Sequence, residues 1–198
     1  HTIEIVKPIT KYAVTITDPN SIRYHLEKAA YLAKNGRPGP VWIDIPTDMQ
    51  HAEIEPKRLK GFKPEKEKVG LNKLRNQIVK TKKLLEQVKR PILIAGHGIR
   101  IAKAEKEFLA LAEKLGFPVI TTWNGIDLIS DKHPLYIGRA GVIGQRGANF
   151  AIANSDLILA VGSRMDTRQL GNNPQDFYAK AAKKIVVDID KHELEKGL

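Results

Sequence analysis

The chain has 198 residues, 42% of them hydrophobic and 28% charged, with a formal net charge of +11 and no cysteine. That length suits one large domain or one and a half smaller ones around a packed core, and the lack of cysteine excludes disulfides, thiolate metal sites and a cysteine nucleophile. No run approaches the roughly eighteen apolar residues of a membrane span, and the opening HTIEIVKPIT lacks the charged-then-apolar order of a secretory signal, so a cytoplasmic protein without a membrane partner is expected.

The positive charge is local. Residues 57 to 90 hold 13 Lys and Arg against 3 Asp and Glu, whereas residues 1 to 56 hold 6 against 7 and residues 91 to 198 hold 14 against 12. Lysine outnumbers arginine ten to three in that segment and Phe62 is its only aromatic. Bidentate readout of bases or phosphates and a stacking platform for single strands are both disfavoured. A lysine-rich linker running into the solvated face of a helix accounts for the charge, and no nucleic-acid partner is expected.

In chain order, Asp18-Pro19 reads as a helix cap and first residue, followed by Ile22, Leu26, Ala29, Ala30 and Ala33 at helical spacing until Asn35-Gly36. Val41 to Ile45 is a short, mostly apolar run of the kind that forms a buried parallel strand, ended by Pro46. Residues 51 to 70 are polar and aperiodic, as in a linker. Leu71, Leu74, Ile78, Leu85 and Val88 then mark one face of a helix. Beyond it PILIAG (91 to 96), PVITT (118 to 122), LILAVGS (157 to 163) and KIVVDID (184 to 190) read as four strands. A helix over 101 to 115 and a shorter one in RGANFAIANSD lie between them. Alternating strands and helices imply an α/β unit with a mainly parallel, Rossmann-like sheet flanked by helices.

Open parallel sheets bind ligands at the carboxyl ends of their strands. There the first strand offers Gly96-His97-Gly98, where missing side chains let backbone approach a ligand or simply turn tightly. The third offers Gly162 and then Arg164, Asp166 and Arg168, spaced two apart and so on one side of an extended segment. Two arginines beside an aspartate suit an anionic or polyhydroxylated ligand, or a structural ion-pair network. The fourth offers Asp188 and Asp190, positioned for a ribose or purine, with a helix start as the other reading of Asp190. Gly138, Gly141, Gly144 and Gly147 recur at intervals of three, as for a loop passing close to a flat or phosphorylated ligand. Six scattered histidines show no metal-ligand spacing, and no serine sits in a nucleophile elbow. Catalytic and metal-binding residues are therefore expected to be none in this chain.

Taken together, PITKYAVTITDPNSI, LAKNGRPGPVWIDIPTDMQ, RPILIAGHGI, GFPVITTWNG, NSDLILAVGSRMDTRQLGN and KIVVDID, in this order, resemble the thiamine diphosphate-dependent enzymes of the acetolactate synthase group. The resemblance implies a fragment of a homodimeric or homotetrameric 2-oxo-acid carboligase or decarboxylase. Residues 1 to 50 would be the tail of the pyrimidine-binding domain, 51 to 70 a linker, and 71 to 198 most of the central domain. It also implies that thiamine diphosphate and Mg2+ are held by parts of the subunit outside this chain, so the chain alone neither binds thiamine diphosphate productively nor turns over. The central domain of such synthases carries FAD in a largely non-redox role. The resemblance maps that site onto Gly96, Gly98, Thr122, Gly141, Gly144, Gly162, Arg164, Asp166, Arg168 and Asp188. His97, Trp123, Asn124 and Ile143 depart from the family pattern at flavin-proximal positions. FAD and a nucleotide site without flavin are thus the two alternatives, and a free-standing nucleotide-binding module is the alternative to the fragment.

Overall fold

A computed structural model describes residues 1–65, 70–171 and 183–196. Residues 66–69 of the expected linker, and Asn172 at the end of the arginine-containing stretch, lie outside the described residues. The chain divides into two compact units, His1–Val69 and Gly70–Leu198.

The first unit contains α1 (Thr2–Val6), β1 (Tyr12–Thr15), α2 (Ile22–Lys34), β2 (Val41–Asp44) and α3 (Thr47–His51). β1 and β2 pair in parallel, Tyr12 opposite Val41 and Thr15 opposite Asp44, with α2 as their crossover. Asp18 does act as a cap: its Oδ1 accepts from the Asn20 peptide N–H at 3.0 Å over a single 3₁₀ turn, Pro19–Ser21, that leads into α2. β1 was not foreseen because it is only four residues long, half-buried throughout and without alternation. The expected linker is also less free than its composition implied. The Phe62 ring meets Tyr24 edge-on and Tyr31 at a tilt, both with centroids 5.6 Å apart. The Phe62 peptide N–H donates to Glu27 Oε2 at 2.7 Å. Glu27 also accepts from Arg23, and the two bonds hold its carboxyl below the usual range.

The second unit runs α4 (Leu71–Leu85), β3 (Pro91–Ala95), α5 (Gly98–Ile101), α6 (Glu105–Leu115), β4 (Val119–Thr121), β5 (Tyr136–Arg139), α7 (Arg146–Ala153), β6 (Leu157–Val161), α8 (Thr167–Leu170), β7 (Lys183–Val187) and α9 (Lys191–Leu194). Its five strands are parallel in the order β5-β4-β3-β6-β7. Successive side chains of a strand point to opposite faces, so Ile92 and Ile94 join Ile120, Ile152 and Ile158 in one buried layer while Leu93 and Ala95 join Phe108, Ala112 and Leu159 in the other. This is the parallel α/β sheet that the alternation of apolar runs implied.

Three local departures have physical causes. The helix expected over 101 to 115 is two helices, because Lys103 takes a left-handed conformation (φ 55°) between α5 and α6. β5 lies in what read as a glycine loop. Its Gly138, at φ 117°, pairs opposite Ile120 across a register shift, and Gln145 Oε1 occupies the space a side chain would need. Only the C-terminal end of the α4 face docks: Leu84, Leu85 and Val88 pack on the sheet, whereas Leu71, Leu74 and Ile78 are exposed.

β4 and β5 lie on one side of β3, and β6 and β7 on the other, so the crossovers reverse direction between β3 and β6. At this switch point the two strand ends meet backbone to backbone. The Gly96 N–H donates to Val161 O and the Gly98 N–H to Gly162 O, both at 2.9 Å. A Cβ on Gly98 would lie 2.7 Å from Gly162 Cα, and one on Gly162, at φ 60°, would lie 2.7 Å from Ile99 N. At the opposite edge Asp156 knots three strand starts. Its carboxylate accepts from the peptide N–H groups of Lys89 (2.8 Å) and Arg90 (2.9 Å), its own N–H donates to Arg90 O, and its C=O accepts from Lys183 N–H.

The glycine contact makes Gly162→Ala destabilising by about 3 kcal/mol, since both conformation and space are wrong for a side chain. Gly147, within α7 and with open space where a Cβ would sit, is the control: Gly147→Ala stabilises by roughly 0.5 kcal/mol. Urea unfolding of the two variants checks the contrast. The bond from Lys89, reinforced by Arg90, holds the Asp156 carboxyl below its usual range. A depressed folded pKa adds stability that is present above the unfolded value of about 3.9 and is lost as pH falls through the lower folded value. The advantage of the natural chain over Asp156→Asn in urea unfolding is therefore expected to be full near neutrality and to shrink progressively below about pH 4.

Candidate functional site

Because every strand of the second unit is parallel, the residues that follow β3, β4, β5, β6 and β7 share one edge of the sheet. The residues to which the resemblance assigns the site all fall on that edge, but they do different things there.

The glycines bind the protein to itself. Gly96, Gly98 and Gly162 form the contact at the switch point, so the bared backbone between β3 and β6 faces other backbone rather than open space. Gly141, at φ 139°, would place a Cβ 2.8 Å from Arg168 O, and Gly144 would place one 2.6 Å from Gly141 N. The turn they form is held by Asn149, whose side chain accepts from the Gly141 N–H and donates to the Gly141 C=O, both at 3.0 Å. It is tied to α8 by Val142 N–H donating to Arg168 O at 2.9 Å. Thr122 opens the turn after β4, its N–H bonded to Ala95 O. His97 and Asn124 close the adjacent loops on each other. The Asn124 carbonyl, 2.8 Å from His97 Nδ1, can only accept, which fixes Nδ1 as the protonated nitrogen.

The charged residues after β6 depart from a simple extended row. Ser163 and Met165 point inward and Arg164 and Asp166 outward, as alternation requires. Met165 is held at φ 50°, an uncommon conformation for a non-glycine residue, with its side chain sunk in the core. Asp166 then caps α8, its Oδ1 accepting from the Gln169 N–H at 3.1 Å, so Arg168 leaves from a helical turn. The ion-pair partner of Arg164 is Glu193 of α9, at 3.1 Å from Nε, and not Asp166. Asp188 accepts from the Asp190 N–H, and Asp190 caps α9.

Glu193 was missed by sequence reasoning because a glutamate in a short polar helix gives no signal of burial; only its place three residues after a capping aspartate was suggestive. Of the apolar rim, Trp123 and Ile143 stood out only as departures from the family pattern, and Val142, Val187 and Ile189 were missed. Trp123 (47% exposed), Val142, Ile143 (79% exposed) and Ile189 follow strand ends, Val187 closes β7, and all five face solvent. Among the described residues the terminal nitrogens of Arg164 and the guanidinium of Arg168 have no ion-pair partner, and Thr121 Oγ1 and Gln169 Nε2 are buried without a hydrogen-bond partner. Guanidinium donors beside exposed apolar and aromatic surface fit a ligand with an anionic and a flat apolar part, such as a nucleotide. Among the described residues no three His, Asp or Glu side chains gather as metal ligands, and no helix is long and apolar enough to cross a membrane.

The thiamine pyrophosphate enzyme central-domain family matches residues 78–198. The acetolactate synthase large subunit of Corynebacterium glutamicum is 40% identical over 197 residues, covering 97% of this chain and 30% of that protein. The probable acetolactate synthase large subunit of Methanocaldococcus jannaschii is 37% identical over 96% of this chain and 32% of its own length. The large subunit of Lactococcus lactis is 37% identical over 98% and 34%. The chain thus spans about a third of the length of the curated relatives it matches. With the family match over more than half its length and a five-stranded parallel sheet within the matched region, the chain belongs to the thiamine pyrophosphate enzyme family, whose central domain it carries.

Proposed function

We propose that this chain is the central part of a thiamine diphosphate-dependent enzyme of acetolactate synthase type, which joins two pyruvates into 2-acetolactate with loss of carbon dioxide. Residues 1 to 50 would belong to the end of its pyrimidine-binding domain. The observation that carries this reading is the likeness of nearly the whole chain to proteins named acetolactate synthase large subunits. In such an enzyme thiamine diphosphate, held with Mg2+ by parts of the subunit outside this chain, supplies the electron sink for the 2-oxo acid. The present residues supply scaffold and a nucleotide site, and no reacting group. The whole enzyme would be a cytoplasmic homodimer or homotetramer.

At the strand ends we assign the anionic part of a dinucleotide such as FAD to Arg164 and Arg168, which offer fork-shaped donors. Asp188 stands where a ribose or purine hydrogen-bonds, and Trp123, Val142 and Ile143 offer apolar surface to a ring. The glycines contribute by shaping the edge, since five of them are packed against their own neighbours.

Thermal melting of the 198-residue chain with ADP, FAD and NAD tests the site. ADP and FAD are expected to raise the melting temperature, with stabilisation of about 2.7 kcal/mol when ligand is a hundredfold above its Kd. Arg168→Ala is expected to weaken ADP about tenfold through loss of a charge-assisted hydrogen bond. FAD binding more tightly than ADP would assign the apolar rim to the flavin, and equal affinities would assign the site to the adenine nucleotide alone. No shift with any of the three would contradict the site.

A further inference from the structure

Among the described residues, Glu193 is the most deeply buried carboxylate of the strand-end edge, its side chain only 4% exposed. Burial of a carboxylate is unfavourable unless it is paired, and this one has at least two cationic partners. It meets Arg164 Nε at 3.1 Å and the Lys196 ammonium directly. Lys196 also donates to the Arg164 main-chain carbonyl at 3.1 Å. Two residues that follow β7 thus grip Arg164, which follows β6, by its side chain and by its backbone.

The point of attachment is informative. A guanidinium offers five N–H donors in a rigid fork. Glu193 takes the inner nitrogen, Nε, and the Arg164 side chain remains 60% exposed. The paired terminal nitrogens, which match the oxygen spacing of a phosphate, have no partner among the described residues. The Met165 backbone, at φ 50°, sets the direction of the loop that carries Arg164, and Asp166 is committed to capping α8. Glu193 is thus the acidic side chain paired with Arg164, with the cation of Lys196 beside it.

We propose that Glu193 is a positioning residue for a ligand diphosphate, fixing Arg164 by Nε so that its two terminal nitrogens are held ready for the anion. This rests on the nucleotide reading above and adds a residue to it that makes no contact with the ligand itself.

Calorimetric titration of the whole chain with ADP and with inorganic pyrophosphate, at low and high salt, tests the proposal. Arg164→Ala is expected to weaken both ligands about tenfold or more. Glu193→Gln keeps the shape but removes the charge that anchors the fork, and is expected to weaken both ligands roughly threefold to tenfold at high salt. At low salt the loss is smaller, because the variant is also more positive and unscreened attraction offsets part of it. A purely structural clasp would lower the melting temperature of Glu193→Gln and leave its affinities equal to those of the natural chain wherever both are folded; that result, or tighter binding at both salts, overturns the proposal. If Glu193→Gln does not fold, Arg164→Lys serves instead. It keeps the charge and lacks the fork, so it should bind nearly as poorly as Arg164→Ala, and binding equal to the natural chain would overturn the role of the held fork. Failure of the natural chain to bind either ligand would remove the nucleotide reading and this proposal with it, whereas weak binding by Arg164→Ala with unchanged binding by Glu193→Gln would remove this proposal alone.

Discussion

Backbone contact between the ends of β3 and β6 is the constraint on which the rest of the second unit depends. The chain reverses its direction of travel across the sheet between these two strands, and such a point opens a crevice in most doubly wound sheets. Here Gly96, Gly98 and Gly162 let the two loops close on each other through two main-chain hydrogen bonds. The loop after β6 is thereby fixed at its first residue. With Ser163 and Met165 locked in the core and Asp166 spent on a helix cap, Arg164 has one direction in which to leave. Glu193 and Lys196 then hold it there.

This arrangement separates two tasks that a sequence alone merges. The glycines look like a cradle for a ligand, yet their lost side chains are required by the protein's own packing. In the proposed site the recognition chemistry is assigned instead to side chains on the rim, two arginines and a set of exposed apolar residues. A site built in this way would tolerate change in its rim without loss of fold. Of the unusual His97, Trp123, Asn124 and Ile143, His97 bonds to the main-chain carbonyl of residue 124, while Trp123 and Ile143 face solvent.

Much of the fold was legible because buried parallel strands are written as uninterrupted apolar runs, and four of the five strands of the large sheet carry one. The two missed strands lack it. β1 is only half-buried, and β5 is an edge strand whose Gly138 reads as a loop. The division of 101 to 115 into two helices was illegible because a lysine gives no hint of a left-handed turn. Of the candidate site, the place of the charged residues after strand ends was legible. The Arg164 pairing could not, since it joins residues 29 apart through a loop and a helix that share no local pattern.

The central claim is that ligand recognition belongs to the carboxyl edge of the five-stranded sheet. Backbone amide chemical-shift mapping by NMR, with ADP titrated into the isotope-labelled chain, locates the site without assuming which residues form it. The account predicts perturbations at Trp123, Arg164, Met165, Arg168, Asp188 and Glu193, with none at Arg90, Asp156 and Lys183 on the opposite edge. Perturbations centred instead on the lysine-rich helix α4 would contradict it.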